Sequence, residues 1–293
     1  MRQQAKNPFL VISKVICVVC KRDLSVWKTA STLIPNKIAA LKYEVIVPDS
    51  EVGEFERHTD PRFVITRESS CLNGVDFDYV KRHLANHKER AGWYLQQFIK
   101  INACRAGSPE DVFLIWDADT VPLKKLDFLD PEGRLIYYKG HGSHADYFDT
   151  IKNILGMQKK VEYSFISQCF PVKNIWVEEF CKEIEKYGST DWITAVLKGV
   201  SGNTASGFSE YESLGTFLTY RHPEEITVID NAWSHFGNML IGGIGNLSPG
   251  TINMLSKDYD YIAFEHSQPA YGFVRRQIRK LRLFLKKHRA RRS

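Results

Sequence analysis

The stretch that decides the fold is Val112-Phe113-Leu114-Ile115-Trp116-Asp117-Ala118-Asp119. Its first five residues are all apolar, a pattern typical of a strand that is buried on both faces of a parallel or mixed sheet. If the strand continues, residues two apart point to the same side, so the carboxylates of Asp117 and Asp119 face one site. Ligands of open α/β sheets bind outside the carboxyl ends of the strands, and the stretch therefore predicts a ligand site there.

Working outward, apolar runs of strand length alternate with helical segments. The predicted strands are 15–19, 43–47, 62–66, 112–116, 135–138 and 259–264, and the predicted helices are 27–34, 77–103, 174–187 and 189–198. This alternation predicts an α/β fold with a mixed, mainly parallel central sheet that is flanked by helices.

The charge is unevenly distributed along the chain. The 293 residues carry a net charge of +6, but segment 273–293 holds ten Lys and Arg residues and no acid. This leaves 30 basic and 34 acidic residues in 1–272, and a mildly acidic body argues against a nucleic-acid-binding surface. We therefore expect one domain over 1–272 and a basic tail over 273–293, with no nucleic-acid partner.

The tail places Val274, Ile278, Leu281 and Leu285 at helical spacing between basic residues. A basic amphipathic helix suits an anionic membrane surface, while a solubilising tail or an RNA-binding arm are the alternatives. The chain has no apolar run of membrane-spanning length, and its first residues lack the apolar run of a secretory signal. We expect a cytoplasmic protein that lies on the inner face of the cytoplasmic membrane.

Cys17-Val18-Val19-Cys20 has the Cys-x-x-Cys form of redox and metal sites. It lies in an apolar run, and no second Cys or Cys/His pair follows at zinc spacing. The pattern favours two reduced core thiols on a strand, which fits a reducing cytoplasm.

The acidic pair Asp117 and Asp119 offers hard oxygen ligands, which suit Mg²⁺ or Mn²⁺ bound together with phosphate oxygens. Two acids in an exposed loop are common, so the motif is informative only because a buried strand precedes it. Such a metal neutralises the charge that builds on a departing diphosphate.

Three strings resemble bacterial GT-A-type glycosyltransferases of surface polysaccharide and lipopolysaccharide assembly. They are Gly92-Trp93-Tyr94-Leu95-Gln96-Gln97-Phe98-Ile99-Lys100, the segment from Phe113 to Leu123, and Gly207-Phe208-Ser209-Glu210-Tyr211-Glu212. The resemblance covers roughly residues 10–270. It implies a Rossmann-like GT-A fold and a metal-dependent, hexosyltransferase-like enzyme. The donor would be a nucleoside-diphosphate sugar, and the acceptor a glycan or a lipid-linked molecule.

The resemblance also implies which residues meet the nucleotide sugar. The turn after the first strand would border the nucleotide, which here places Cys20 and Arg22 beside it. An acid after the second strand would meet the base or ribose, and Asp49 holds that position. Arg90 would contact diphosphate oxygens as a charge-assisted donor, although a solvated helix-face charge explains it equally well.

The implied metal site contains Asp117 near the ribose and the metal, with Ala118 beside it, and Asp119 as a direct ligand. A late histidine often completes such a site, and His266 is the candidate; a surface histidine after a strand is the alternative. His141 and His144 would form a sugar-contacting loop, since no third ligand is evident for zinc.

Glu210 and Glu212 are the candidate catalytic residues. Inverting enzymes of this type often place an acidic base at a helix start, where it takes the proton of the acceptor hydroxyl. The alternative is a helix N-terminus with Ser209 as N-cap and acids that stabilise the dipole. We prefer Glu210 as the base, and a retaining mechanism would remove this role.

Two other functions use the same observations. A nucleotidyltransferase or phosphohydrolase would use the same pair of acids with a metal. A non-enzymatic protein would bind membranes or nucleic acid through the basic tail. The acidic body and the acids placed after a strand favour the glycosyltransferase.

Overall fold

A five-stranded sheet lies at the centre of the protein, in a computed structural model that describes residues 10–140, 144–200 and 205–265. In chain order the strands are β1 Ile12–Val18, β2 Lys42–Val47, β3 Phe63–Arg67, β4 Val112–Trp116, β5 Thr120–Pro122, β6 Leu135–Tyr138, β7 Cys169–Lys173, β8 Ile226–Ile229, β9 Trp233–Ser234 and β10 Tyr261–Ala263. The helices are α1 Leu24–Lys37, α2 Val52–Glu56, α3 Phe77–His83, α4 Ala91–Ala103, α5 Ala145–Leu155, α6 Asn174–Gly188, α7 Trp192–Gly199, α8 Glu210–Arg221, α9 Gly237–Ile241 and α10 Pro249–Leu255.

The central sheet has the strand order β3-β2-β1-β4-β7. The first four strands are parallel, and β7 pairs with β4 in the antiparallel direction. Helix α1 connects β1 to β2, and helix α4 precedes β4 along the chain. Parallel strands need such crossover connections. The prediction of an α/β fold with a mixed, mainly parallel sheet flanked by helices is confirmed.

Strand β4 lies inside the sheet between β1 and β7, and all five of its residues are buried. Its burial explains the unbroken apolar run, because neither face meets solvent. Since β7 runs in the opposite direction, it begins where β4 ends, with Cys169 opposite Trp116. Gln168 is therefore placed beside Asp117, just past the sheet.

Two smaller sheets, β5-β10-β9 and β6-β8, adjoin the central one. Strand β10 runs antiparallel to β5, and the amide of Phe264 donates to the carbonyl of Asp119 at 2.8 Å. This pairing returns the late part of the chain, up to Glu265, to the turn that follows β4.

The prediction of one continuous helix over 77–103 is wrong, because the segment forms two separate helices. Helix α3 ends at His83, and α4 begins at Ala91 after a 3₁₀ turn. His87 between them adopts a left-handed conformation with φ of 54°, which an α-helix does not accept. Three basic residues in the last turn of α3 favour a helix end at that point.

All six cysteines are free. Cys17 is buried in β1, whereas Cys20 is partly exposed and follows the end of that strand, so the prediction of two core thiols on a strand is correct for Cys17 and wrong for Cys20. Within the described ranges, no helix combines the length and apolar character that crossing a bilayer demands. The division at residue 272 and the predicted tail helix lie outside the described residues and stay predictions.

Candidate active site

Asp117, Ala118 and Asp119 form a turn at the carboxyl end of β4. The amide of Asp117 donates to the carbonyl of Gln168 at 2.9 Å, and the amide of Thr120 donates to the carbonyl of Asp117 at 3.0 Å. The indole N–H of Trp116 donates to the carbonyl of Thr120 at 2.9 Å and so connects the two ends of the turn. These bonds fix both aspartates on a rigid support rather than in a mobile loop.

Lys100 of α4 bridges two carboxylates beneath this turn. Its ammonium lies 2.5 Å from Oδ1 of Asp117 and 2.7 Å from Oε1 of Glu210, and its side chain is only 6% exposed. The hydroxyl of Tyr211 donates to the same Asp117 oxygen at 2.7 Å, and the ammonium lies 4.9 Å from the Tyr211 ring centroid. One buried cation therefore connects β4, α4 and the start of α8.

Burial disfavours the charged form of Lys100, but the neighbouring carboxylates of Asp117 and Glu210 outweigh it and raise the pKa of Lys100 above its ordinary value. Burial raises the pKa of Glu210, and Lys100 opposes that rise. Lys100 thus stays charged and favours the ionised form of Glu210.

The charges that act most strongly on Asp119 are acidic. Burial, followed by the charges of Asp117, Asp23 and Glu265, raises the pKa of Asp119 to about 7. The hydroxyl of Thr120 donates to Oδ1 of Asp119 at 3.2 Å. Negative charge is therefore concentrated at the end of β4, where a cation from outside the protein would relieve it.

These acids line a cleft of about 240 Å³ at the carboxyl end of the sheet. Its lining includes both motif aspartates with Ala118, the turn after β1, one face of α4 and the start of α8. The lining residues are Val18, Arg22, Asp23, Trp93, Gln96, Gln97, Lys100, Asp117, Ala118, Asp119, Tyr147, Ile166, Gln168, Ser209, Glu210, Tyr211 and Glu265. The predicted ligand site thus coincides with a cleft that has several convergent polar groups.

The carboxylates could hold a divalent cation, because their oxygens are hard ligands and their charge is incompletely balanced. Lys100 and Tyr211 occupy one oxygen of Asp117, which leaves its second oxygen and Asp119 as the motif's ligands. Within the described residues, no three His, Cys, Asp or Glu side chains are grouped as a metal site. The two aspartates do not complete a coordination shell, so a metal here needs further ligands, for which phosphate oxygens, water and the predicted ligand His266 are the candidates.

Glu210 and Glu212 have different surroundings despite their proximity in the sequence. Glu210 lines the cleft, whereas Glu212 is 1% exposed, accepts a hydrogen bond from Ser164 and is not a lining residue. Ser209 is the N-cap of α8, since its hydroxyl accepts from the amide of Glu212 at 3.3 Å. The capping interpretation is confirmed, and only Glu210 is placed to meet a ligand.

The residues expected near the nucleotide separate into two groups. Arg22 lines the cleft and donates to Asp23 at 3.3 Å, with Cys20 two residues before it as the N-cap of the 3₁₀ turn. Asp49 is exposed after β2 and accepts from the hydroxyl and amide of Ser69 at 2.6 and 3.0 Å. Those bonds lower the pKa of Asp49, which does not line the cleft.

Arg90 is the N-cap residue of α4, with its guanidinium carbon 4.7 Å from the Trp93 ring centroid. It is not among the residues that line the cleft, and its contact with diphosphate oxygens stays a prediction. His144 is the N-cap residue of α5, and its ring packs edge-on against Tyr147 at 5.1 Å between centroids. His141 and His266 lie outside the described residues, so their sugar and metal roles stay predictions.

The sequence analysis did not assign site roles to Lys100, Tyr211, Gln168 or Glu265, whereas Asp23 falls in the turn expected beside the nucleotide. A signal for Lys100 was present, because Gln96, Gln97 and Lys100 form a polar face on an otherwise apolar helix. Gln168 carries a different signal that appears only in the structure: its φ of 66° is unusual for a residue other than glycine. Its side-chain amide reaches Glu265 at 3.4 Å, next to the turn.

The chain belongs to a family of unknown function, DUF6492, whose pattern matches residues 35–234. No curated protein matches the chain.

Solved structures that match over most of the chain include three glycosyltransferases. The galactosyltransferase LgtC, in complex with donor and acceptor sugar analogues, shares 9% identity and a TM-score of 0.41 over 90% of this chain and 93% of that one. The bifunctional glycosyltransferase WbbM shares 14% identity and a TM-score of 0.42 over 89% of this chain and 47% of that one.

The third is core-mannan synthase A from Aspergillus fumigatus in its Mn/GDP form, with 8% identity and a TM-score of 0.42 over 77% of this chain and 74% of that one. All three are glycosyltransferases. A likeness at these TM-scores assigns neither activity nor ligand to this chain, whose own side chains carry the argument for function.

Proposed function

We propose that the protein is a metal-dependent glycosyltransferase of GT-A type, which moves a sugar from a nucleoside-diphosphate sugar to a glycan or lipid-linked acceptor. The observation that carries the proposal is the position of Asp117 and Asp119. Both leave the end of a buried strand and enter a cleft that also holds Lys100, Arg22 and Glu210. The bacterial surface-polysaccharide role comes from the sequence resemblance alone.

The cleft has two ends that suit two parts of a nucleotide sugar. At one end, Asp119 adjoins Asp23 and Arg22, next to the turn where the nucleotide is expected. At the other end, Lys100 and Glu210 offer a buried donor and acceptor for sugar hydroxyls. A diphosphate would lie between them, against the acids of the motif.

Mn²⁺ or Mg²⁺ bound to Asp119 and Asp117 would neutralise the charge on the departing diphosphate. The residues of this chain provide the support. Lys100 and Tyr211 hold Asp117 through one oxygen and so orient the other toward the cleft. Lys100 keeps its charge beside Asp117, and the pKa of Asp119 falls when a cation binds.

Glu210 is the proposed base for the acceptor hydroxyl. A base must be ionised and within hydrogen-bond reach of the proton that it takes. Lys100 bonds Oε1 of Glu210 and favours the carboxylate, which leaves Oε2 for the acceptor. Glu212 is the less favoured candidate, because it does not line the cleft and its Oε1 accepts a hydrogen bond from Ser164.

The test is a thermal-shift and calorimetric screen of nucleotide sugars with Mn²⁺, for wild type, Asp117→Asn, Asp119→Asn and the control Asp49→Asn. A ligand that binds only the folded state raises the apparent stability. We expect one nucleotide sugar to stabilise wild type and Asp49→Asn, and to lose most of its affinity in the two motif variants. Unchanged binding in both motif variants contradicts the proposal.

Analysis of the products then separates the proposed enzyme from the alternatives that use the same acids. A transferred sugar supports the glycosyltransferase, whereas a nucleotidylated product or free phosphate supports the nucleotidyltransferase or phosphohydrolase. The membrane contact through 273–293 stays a prediction. Deleting that segment should leave transfer to soluble acceptors intact if the catalytic cleft is the functional centre.

A further inference from the structure

One face of α4 runs along the cleft from its mouth to its floor. Trp93, Gln96, Gln97 and Lys100 all line the cleft, and their spacing of three, four and seven residues puts them on one side of the helix. Seven residues of α-helix correspond to about 10 Å, so Trp93 lies well away from the Lys100 end of this face. That separation leaves room for a sugar ring between the Trp93 indole and the buried Lys100–Glu210 pair.

The indole of Trp93 is held in place although it is partly exposed. The Arg90 guanidinium packs on its ring at 4.7 Å, and Nη2 of Arg90 donates to the Ser206 hydroxyl at 3.2 Å. Tyr94 meets the ring edge-on, with 5.0 Å between centroids and 87° between planes. The Tyr94 hydroxyl in turn accepts from the amide of Gly207 at 3.0 Å.

Part of the Trp93 ring packs against the hydrophobic core, and the rest of it stays accessible. An indole that only filled the core would be buried, as the indoles of Trp27, Trp116 and Trp176 are. A cation on the ring and an aromatic edge beside it instead fix the orientation of an accessible aromatic surface. Such a surface at the mouth of a polar cleft suits a ligand with one apolar face and a polar rim.

We propose that Trp93 is the stacking platform for a pyranose ring of the acceptor, and that Arg90 and Tyr94 are positioning residues for its indole. The inference rests on the proposed function and names its acceptor class: a glycan or glycoside rather than a peptide hydroxyl or a lipid phosphate. Pyranose rings present C–H groups on their faces and hydroxyls around their edge. They therefore combine stacking on Trp93 with hydrogen bonds to the cleft.

The location of Trp93 favours the acceptor over the donor nucleotide. The nucleotide is expected at the turn after β1, which contains Arg22 and Asp23. Trp93 belongs to the first turn of α4, and its neighbours Arg90 and Tyr94 bond to Ser206 and Gly207, which precede the proposed base Glu210. A ring on Trp93 would thus lie on the side from which Glu210 approaches the acceptor hydroxyl.

The test uses the full-length protein with Mn²⁺ and the nucleotide sugar that gives the largest thermal shift. The acceptors are para-nitrophenyl hexopyranosides, a serine-containing peptide and undecaprenyl phosphate. The variants are Trp93→Ala, Trp93→Phe, Arg90→Gln and the control Tyr187→Ala, which removes an exposed aromatic ring from α6. Donor affinity is measured by calorimetry, and kcat and KM are measured for each acceptor.

We expect transfer to a hexopyranoside only. Trp93→Ala should raise the acceptor KM about tenfold without changing the donor affinity, Trp93→Phe should retain most of the activity, and Tyr187→Ala should behave as wild type. Arg90→Gln should raise the acceptor KM less and leave kcat unchanged.

A wild-type acceptor KM in Trp93→Ala, or a lost donor affinity in that variant, would overturn the inference. Transfer to the peptide or the lipid phosphate but to no pyranoside would also overturn it, as would donor hydrolysis without transfer. Absence of donor binding by the wild type is a separate result, which contradicts the proposed function itself.

Discussion

Replacing Lys100 with methionine tests the charge network of the site in isolation from any ligand. The substitution keeps the length of the side chain and removes the cation between Asp117 and Glu210. Lys100 and Glu210 each have 6% exposed side chains, and Asp117 has 20%, so solvent screens the pair weakly. Breaking a buried pair by removing one partner costs about 3–5 kcal/mol, because the other charge stays buried.

The cost should depend on pH in a defined direction. Burial raises the pKa of Glu210, and Lys100 opposes that rise, so Lys100→Met raises the folded-state pKa further above the unfolded value. A group with a raised folded-state pKa contributes stability that is present below the unfolded pKa and lost as the pH rises through the folded one. The variant should therefore be much less stable than wild type at about pH 8 and recover at about pH 5.

Urea unfolding at both pH values measures the loss in the free energy of unfolding. Thermal unfolding near neutral pH should show a melting temperature about 10 °C lower in Lys100→Met than in wild type. The control is Lys14→Met, which breaks the 2.7 Å pair with Glu44 in the central sheet, whose side chains are 21% and 17% exposed. It should cost about 1 kcal/mol with little dependence on pH. Adding Glu210→Gln to Lys100→Met should restore part of the stability. Equal stability of wild type and Lys100→Met at alkaline pH refutes the reasoning, as does equal loss in the two lysine variants.

Three further substitutions and one control test the packing of α8, each by urea unfolding. Gly215→Ala places a Cβ 2.1 Å from the Phe165 ring and should cost about 1–3 kcal/mol, whereas Gly245→Ala meets nothing within 4 Å and should be nearly neutral. Equal stability of these two variants would contradict the packing. Ser209→Ala removes the N-cap of α8 and should cost about 1 kcal/mol; an unchanged stability would mean that the cap adds nothing. Tyr211→Phe removes one donor to Asp117 and should cost about 1 kcal/mol while Lys100 holds the carboxylate, and a loss as large as that of Lys100→Met would argue against this ranking.

The residues whose role follows from local sequence were predictable, and those whose role depends on distant partners were not. An apolar run followed by Asp117 and Asp119 needs only strand geometry to predict a site at a sheet edge. Lys100 lies 17 positions before Asp117 and 110 before Glu210, so only the packed fold brings the three charges together. What the sequence does show is that Lys100 follows two other polar residues, Gln96 and Gln97, at a spacing that puts them on one face of α4.

Two other features could not be predicted from the local sequence, namely the break before α4 and the different surroundings of Glu210 and Glu212. The break before α4 requires a left-handed His87, and no glycine or proline marks it. Glu210 and Glu212 look equivalent in the sequence, yet the helix turns one toward the cleft and the other toward Ser164. Two residues of helix rotate a side chain by roughly 200°, so a helix start two positions away would exchange their roles.

The central claim is that the cleft binds a metal together with a nucleotide sugar. Its most direct test is to measure Mn²⁺ binding by electron paramagnetic resonance during titration with a nucleoside diphosphate. Wild type should bind Mn²⁺ more tightly when the nucleotide is present. Asp119→Asn should abolish this coupled binding, and Asp49→Asn should leave it unchanged. Equal coupled binding of Mn²⁺ by wild type and Asp119→Asn would contradict the assignment of the cleft as a nucleotide-sugar site.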